Sequence, residues 1–173
     1  MISPQLIQSH PFFAGLNLEH VDILARSARE HVVSAGHCLF REGDQLRQFY
    51  LVLEGVVAIV IAVPHRNGAQ RTLGQLSGNP TTRDVTVSTV GTGDVFGWSA
   101  LVPPYVCTAG ATAVTPCRVV AFEMDKLRPD IEEDCQFARV IMLRVAQVIR
   151  ERLRDLQIEL LADMAVPMDA RSG

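Results

Sequence analysis

Phe49-Tyr50-Leu51-Val52-Leu53-Glu54-Gly55-Val56-Val57 is the stretch that decides the fold. It joins two apolar, β-rich runs, Gln48–Leu53 and Val56–Val63, through the turn Glu54-Gly55. Short runs of Val, Ile, Leu and aromatic residues punctuated by glycine read as strands. Working outward, the same punctuation recurs at Gly36, Glu42-Gly43-Asp44, Gly91-Thr92-Gly93 and Thr115-Pro116. It delimits further strands at His31–Ala35, Cys38–Arg41, Asp84–Val90, Asp94–Phe96, Ala109–Thr115 and Arg118–Glu123. Eight short strands with turns this regular predict a sandwich or small barrel. Pro64 to Arg83, polar and carrying Gly68, Gly74, Gly78 and Pro80, reads as a long hairpin loop.

Helices flank the β-rich stretch. The opening, Met1 to about Glu30, reads as helical: Leu16, Val21, Leu24, Ala25 and Ala28 follow helical spacing, and Asn17 is a natural N-cap. Ahead of it, Pro11-Phe12-Phe13-Ala14-Gly15 reads as a docked turn whose aromatic pair closes one end of a core. After the strands, Met124-Asp125-Lys126-Leu127 opens a short helix, and Cys135 to Met164 runs without Gly or Pro. Thirty helical residues span about 45 Å. Met142, Ala146, Ile149, Leu153, Leu156 and Leu160 repeat at 4, 3, 4, 3, 4, a coiled-coil seam. Phe137, Ile141, Val145 and Val148 form a neighbouring stripe expected to pack on the barrel. A seam that outruns the domain implies a partner helix; the other arrangement is one helix folded back over its own barrel. The resulting organisation is a helical segment at 1–30, a roll at 31–123, a hinge and long helix at 124–164 and a tail at 165–173.

Composition limits the function. The 173 residues are 48% hydrophobic and 20% charged, with a net charge of -3, and no long run of Lys or Arg appears. That excludes a general electrostatic grip on nucleic acid. The longest apolar stretch, Val56 to Val63, is far short of the ~20 residues of a spanning helix, and no signal peptide is legible. No membrane association and a cytoplasmic location are therefore expected. Cys38, Cys107, Cys117 and Cys135 lack the close spacing of a zinc or iron–sulfur site, so no metal is expected.

Three glycine-bearing stretches carry a resemblance. Arg41-Glu42-Gly43-Asp44, the Phe49–Val57 run and Gly91-Thr92-Gly93-Asp94-Val95-Phe96-Gly97, followed by Ala100-Leu101 and Arg118-Val119-Val120-Ala121-Phe122, resemble the cyclic nucleotide-binding domain of Crp/Fnr regulators and kinase regulatory subunits. The resemblance covers roughly Phe12 to Leu161. It implies a mainly β fold with flanking helices: a double-stranded β-helix, or jelly-roll-like β-roll, related in shape to the cupins, followed by a long C-terminal dimerisation helix. It also implies a ligand cassette at Gly93, Phe96, Gly97, Trp98, Ser99, Ala100, Cys107, Thr108 and Ala109. A short helix from about Trp98 to Val102 would turn free N–H groups toward an anion. Gly97 has two readings, turn geometry or backbone approach to a phosphate.

The cassette departs from the family's pattern at both charged anchors. Trp98 stands where a nucleotide-binding member has the ribose-binding glutamate, and Cys107 where it has the phosphate-clamping arginine. A hydrogen bond to a charged group is worth about 1.5–3 kcal/mol, so losing two weakens binding by about two to four orders of magnitude. No cofactor is expected, with cyclic nucleotide left as the alternative ligand. Arg66, Arg71 and Arg83 are candidate substitute cations. Trp98 has three readings: a plug for an emptied pocket, a platform for a planar ligand, or core.

No catalytic arrangement stands out, and a non-enzymatic protein is expected. His37-Cys38 could ligate haem iron, as in some relatives, but adjacent strand residues point to opposite faces. Nine residues follow Met164, too few for the helix-turn-helix with which the family reads DNA, so direct DNA binding is not expected, whether the chain is whole or a piece of a longer regulator. The reading is a bacterial-type regulatory effector domain, homodimeric through its last helix, that senses a small or anionic ligand or serves as an adaptor. The alternatives are a cyclic AMP or cyclic GMP binder using unconventional contacts, and a structural dimerisation module with a collapsed pocket.

Overall fold

Most strands of the roll end at turns already visible in the sequence. The computed structural model describes residues 2–64 and 82–165. Its strands are β1 (Ala28–Val33), β2 (Cys38–Phe40), β3 (Gln48–Glu54), β4 (Val57–Pro64), β5 (Thr82–Val90), β6 (Val95–Phe96), β7 (Gly110–Ala113) and β8 (Cys117–Glu123). They form two four-stranded sheets, ordered β1-β8-β3-β6 and β2-β7-β4-β5. The expected jelly-roll-like architecture is present. Residues 65–80 of the expected hairpin loop lie outside the described residues, as does Thr81; β4 and β5, which the loop joins, pair antiparallel from Val57↔Val90 to Pro64↔Thr82.

The turns explain the strand ends. Asp44 closes the Arg41–Asp44 turn twice, its N–H donating to the Arg41 carbonyl at 3.1 Å and its carboxylate accepting from the Arg41 N–H at 2.8 Å. Asp94 repeats both bonds on Gly91, at 3.0 Å and 2.8 Å. Gly55 is held more tightly. Its φ is +93°, and an added Cβ would lie 2.5 Å from the Pro116 carbonyl oxygen and 2.7 Å from Cys117 Sγ. No other residue fits there without moving backbone.

In the first sheet β3 and β8 are central, and both faces are buried: Phe49, Tyr50, Leu51 and Val52 are all core, as are Val119 to Phe122. Phe49 stacks on its register partner Phe122 at 4.6 Å. Tyr50, facing the opposite way, stacks on its own register partner Phe96.

Two compact units make up the chain, the roll at Arg29–Met124 and a helical unit of Met1–Ala28 with Asp125–Gly173. The helical unit holds α1 (Pro4–Ser9), a 3-10 turn (Pro11–Phe13), α2 (Leu18–Ser27), α3 (Met124–Glu133) and α4 (Cys135–Ala165). Asn17 caps α2 as expected, accepting from the His20 N–H at 2.8 Å. Phe12 and Phe13 are buried.

One expectation is corrected. Helix does not persist to Glu30: α2 ends at Ser27 and β1 starts at Ala28. Pairing of β1 along β8 overrides the helical propensity of Ala28-Arg29-Glu30, with Arg29 meeting Glu123 at 3.1 Å and Glu30 meeting Arg118 at 2.7 Å across the two strands. The stripe of Phe137, Ile141 and Val145 is buried, and Phe137 lies flat on His20 of α2, rings 4.5 Å apart and 6° from parallel.

Candidate functional site

β3 and β6 lay down the floor of the cassette. Tyr50 stacks on Phe96 at 5.0 Å, and Phe40 of β2 lies 5.9 Å from Tyr50 and 6.1 Å from Phe96. The Tyr50 hydroxyl donates to Gln48 Oε1 at 3.0 Å. Burial, and next the Cys107 thiol, push its phenol up to about 12, so it is a neutral donor. Phe96 and Ala100 are fully buried. Between them Gly97 has φ +76°, and a Cβ there would sit 3.2 Å from Tyr50 Cδ2 and 3.3 Å from the Gln48 carbonyl oxygen. Close approach to β3 therefore accounts for this glycine.

The helix expected from Trp98 to Val102 is a single 3-10 turn, Trp98–Ala100. Pro103-Pro104 follow, and the residue ahead of a proline is disfavoured from helical backbone, so Val102 cannot prolong it. Trp98 and Ser99 are half-buried. Trp98 stacks on no ring among the described residues and is not fully enclosed.

Cys107 is 3% exposed. Its N–H donates to the Asp44 carbonyl at 2.9 Å and its carbonyl accepts from the Gly43 N–H at 2.8 Å. These bonds zip the Cys107 segment to the Arg41–Asp44 turn. Burial pushes the thiol up to about 11, and the Asp44 carboxylate adds to the rise. At neutral pH this corner thus carries a neutral thiol beside a negative charge, the reverse of a phosphate clamp.

Phe96, Gly97 and Cys107 are brought together around Tyr50. Ala109 is half-buried and Thr108 exposed on the way into β7, and Gly93 is exposed in the turn before β6. Of the candidate substitute cations, Arg83 is exposed on β5 opposite Val63; Arg66 and Arg71 lie outside the described residues. His37 is exposed, while Cys38 is half-buried with its Sγ donating to the Phe40 carbonyl at 3.4 Å. Among the described residues no group of three His, Cys, Asp or Glu could hold a metal, and no helix is long and apolar enough to cross a membrane.

Sequence reasoning missed two features. The sequence marks Tyr50 only as a strand residue, though it is the hub of the cassette. A groove of about 480 Å³ lies on the other sheet, lined among others by Arg41, Glu42, Val60, Asp84 and Thr112. Phe40, which packs on Tyr50 and Phe96, also lines it, but none of the expected ligand residues does, and it depends on strand adjacency that no local pattern reveals.

Along α4 the seam emerges from cover. Met142 is half-buried, Ala146 is exposed, and Ile149, Leu153, Leu156 and Leu160 are 41%, 55%, 43% and 62% exposed.

Known proteins agree with this architecture. The cyclic nucleotide-binding domain family matches residues 30–134. The crystal structure of a protein from Geobacter metallireducens GS-15, assigned to the cyclic nucleotide-binding type without a demonstrated ligand in its name, is similar at 30% identity and a TM-score of 0.72, over 88% of this chain and 99% of that one. The N-terminal domain of a transcriptional regulator from Streptomyces coelicolor A3(2) is 25% identical with a TM-score of 0.61, over 95% and 98% of the two chains. A CRP-like cAMP-activated global transcriptional regulator of Mycobacterium tuberculosis is 25% identical over 150 residues, 83% of this chain and 58% of that protein. This chain therefore spans little more than half the length of that relative. With a family match over more than half its length and the roll in place, the chain belongs to the cyclic nucleotide-binding domain family, as a Crp-like regulatory domain.

Proposed function

We propose that the roll senses a small ligand other than a cyclic nucleotide held in the family's manner, and that the domain signals as a homodimer paired through α4, without catalysis. The observation that carries the ligand reading is Cys107, a buried, protonated thiol beside Asp44 at the position where the resemblance puts the phosphate-clamping arginine. Trp98 at the position of the ribose-binding glutamate adds to it. An anionic phosphate entering this corner would lose its solvation and meet a neutral thiol where the family's pattern has a guanidinium. The exposed seam of α4 supports the dimer.

Isothermal titration with cyclic AMP and with cyclic GMP tests the ligand reading. No binding is expected at micromolar ligand; a micromolar dissociation constant for either would overturn it. The double variant Cys107→Arg with Trp98→Glu restores both anchors and is expected to create or strengthen cyclic nucleotide affinity. The glycine and 3-10 geometry around the anchors supports that expectation. Unchanged binding in a folded double variant would mean that these two positions do not face the ligand.

A further inference from the structure

Between Pro129 and Pro167 the chain has neither glycine nor proline, yet its helix breaks at Asp134, with α3 ending at Glu133 and α4 starting at Cys135. No helix breaker accounts for the interruption. What holds it is one carboxylate. Asp134 Oδ1 accepts from the N–H groups of Gln136 at 2.8 Å and Phe137 at 3.0 Å, satisfying two of the four donors left open at a helix start. Its Oδ2 is 2.8 Å from His20 Nε2. The backbone of Asp134 belongs to both helices: its N–H donates to the Asp130 carbonyl at 3.0 Å, and its carbonyl accepts from the Ala138 N–H at 2.9 Å.

The same residues have a second arrangement. In an uninterrupted helix the N–H groups of Gln136 and Phe137 would donate to the carbonyls four residues back, on Glu132 and Glu133. The Asp134 carboxylate would then lose both backbone donors. Which arrangement prevails depends on how firmly that carboxylate is held.

His20 is placed to hold it. The ring is 3% exposed and lies flat on Phe137, the residue whose N–H Asp134 caps. Among the described residues its Nδ1 has no partner, so Asp134 is the one hydrogen-bond partner of the ring. A histidine buried only to fill space is poorly served by an unsatisfied nitrogen. The Asp134 carboxyl is held below the usual carboxylate range, first by the His20 hydrogen bond and then by the Phe137 N–H.

We propose that His20 is a positioning residue that fixes the Asp134 carboxylate as the cap of α4, so that the α3–α4 break is a latch held closed from α2. The latch works whatever ligand the roll takes.

Backbone hydrogen exchange followed by NMR on the full chain tests it. His20→Phe keeps a ring against Phe137 and removes the nitrogen. Exchange at Gln136 and Phe137 is expected to rise about tenfold or more, with Leu51 and Val120 of the roll unchanged within about twofold. Asp134→Ala should raise the same two amides, and the double variant should be no worse than Asp134→Ala alone, since His20 acts through the carboxylate. Unchanged protection at the two amides in His20→Phe, or additive effects in the double variant, would overturn the proposal. A readout that needs no His20 variant is the His20 Nε2–H signal, expected to be slowly exchanging in the wild type and lost in Asp134→Ala. A wild type without that protected proton would equally sink it.

Discussion

Cys38, Cys107, Cys117 and Cys135 meet different surroundings, and their chemistry should differ accordingly. Cys135 is exposed at the first residue of α4, Cys38 is half-buried, and Cys107 and Cys117 are buried. The Cys107 thiol, pushed up to about 11, stays protonated at pH 8, and the thiolate is the reactive form. Cys117 is further engaged, its Sγ within 3.3 Å of the Val56 carbonyl and 3.1 Å of the Thr115 carbonyl. Iodoacetamide at pH 8 should therefore label Cys135 first and Cys38 more slowly, with Cys107 and Cys117 modified only after unfolding. Peptide mass spectrometry of a time course reads this directly. Cys107 labelled as fast as Cys135 would contradict both its burial and its protonated state. The same surroundings bear on the restored cassette: a guanidinium at position 107 would find the Asp44 carboxylate as a counter-ion.

Strands were legible in this chain because their ends are written as chemistry. Arg41–Asp44 and Gly91–Asp94 each close through an aspartate carboxylate three residues beyond the N–H it accepts from, and Glu54-Gly55 ends β3 by allowing the chain no side chain. Gly55→Ala would drive a methyl into the Pro116 carbonyl at a φ of +93°, and should destabilise the domain by roughly 3 kcal/mol. Urea denaturation measures the loss, and a variant within about 0.5 kcal/mol of wild type would show that the β3–β4 turn relaxes at little cost. Elsewhere local reasoning failed for identifiable causes. The start of β1 depends on partners on β8, 88 and 94 residues away. The shortness of the cassette turn was written in Pro103-Pro104, whose effect on Val102 outweighs the helical look of Trp98–Val102. Asp134 caps the long helix, but its partner His20 lies 114 residues earlier, a separation no periodicity bridges.

For the whole molecule, the roll and its helices follow from the sequence, whereas assembly is a matter of the face that α4 leaves open. Ile149, Leu153, Leu156 and Leu160 are each more than two-fifths exposed, and fully burying one such residue contributes about 1.5–3 kcal/mol. Arg150, Glu151, Arg152 and Asp155 keep the flanks soluble but add little at exposed positions. A parallel pair of α4 helices would cover the seam. Leu153→Asp with Leu156→Asp should then give monomers whose roll stays folded, while the wild type sediments as a dimer at micromolar concentration. A wild-type monomer would end the dimer reading. The break at Asp134 has one more consequence, which is mechanical. Beyond it α4 runs 31 residues without interruption, a rigid arm of about 46 Å. Turning the base of such an arm by about ten degrees, together with the buried residues of its first turns, would sweep its tip through roughly 8 Å, more than the pitch of a full helical turn, so that a rearrangement of two hydrogen bonds at the pivot would be geared up into a far larger displacement along the open seam.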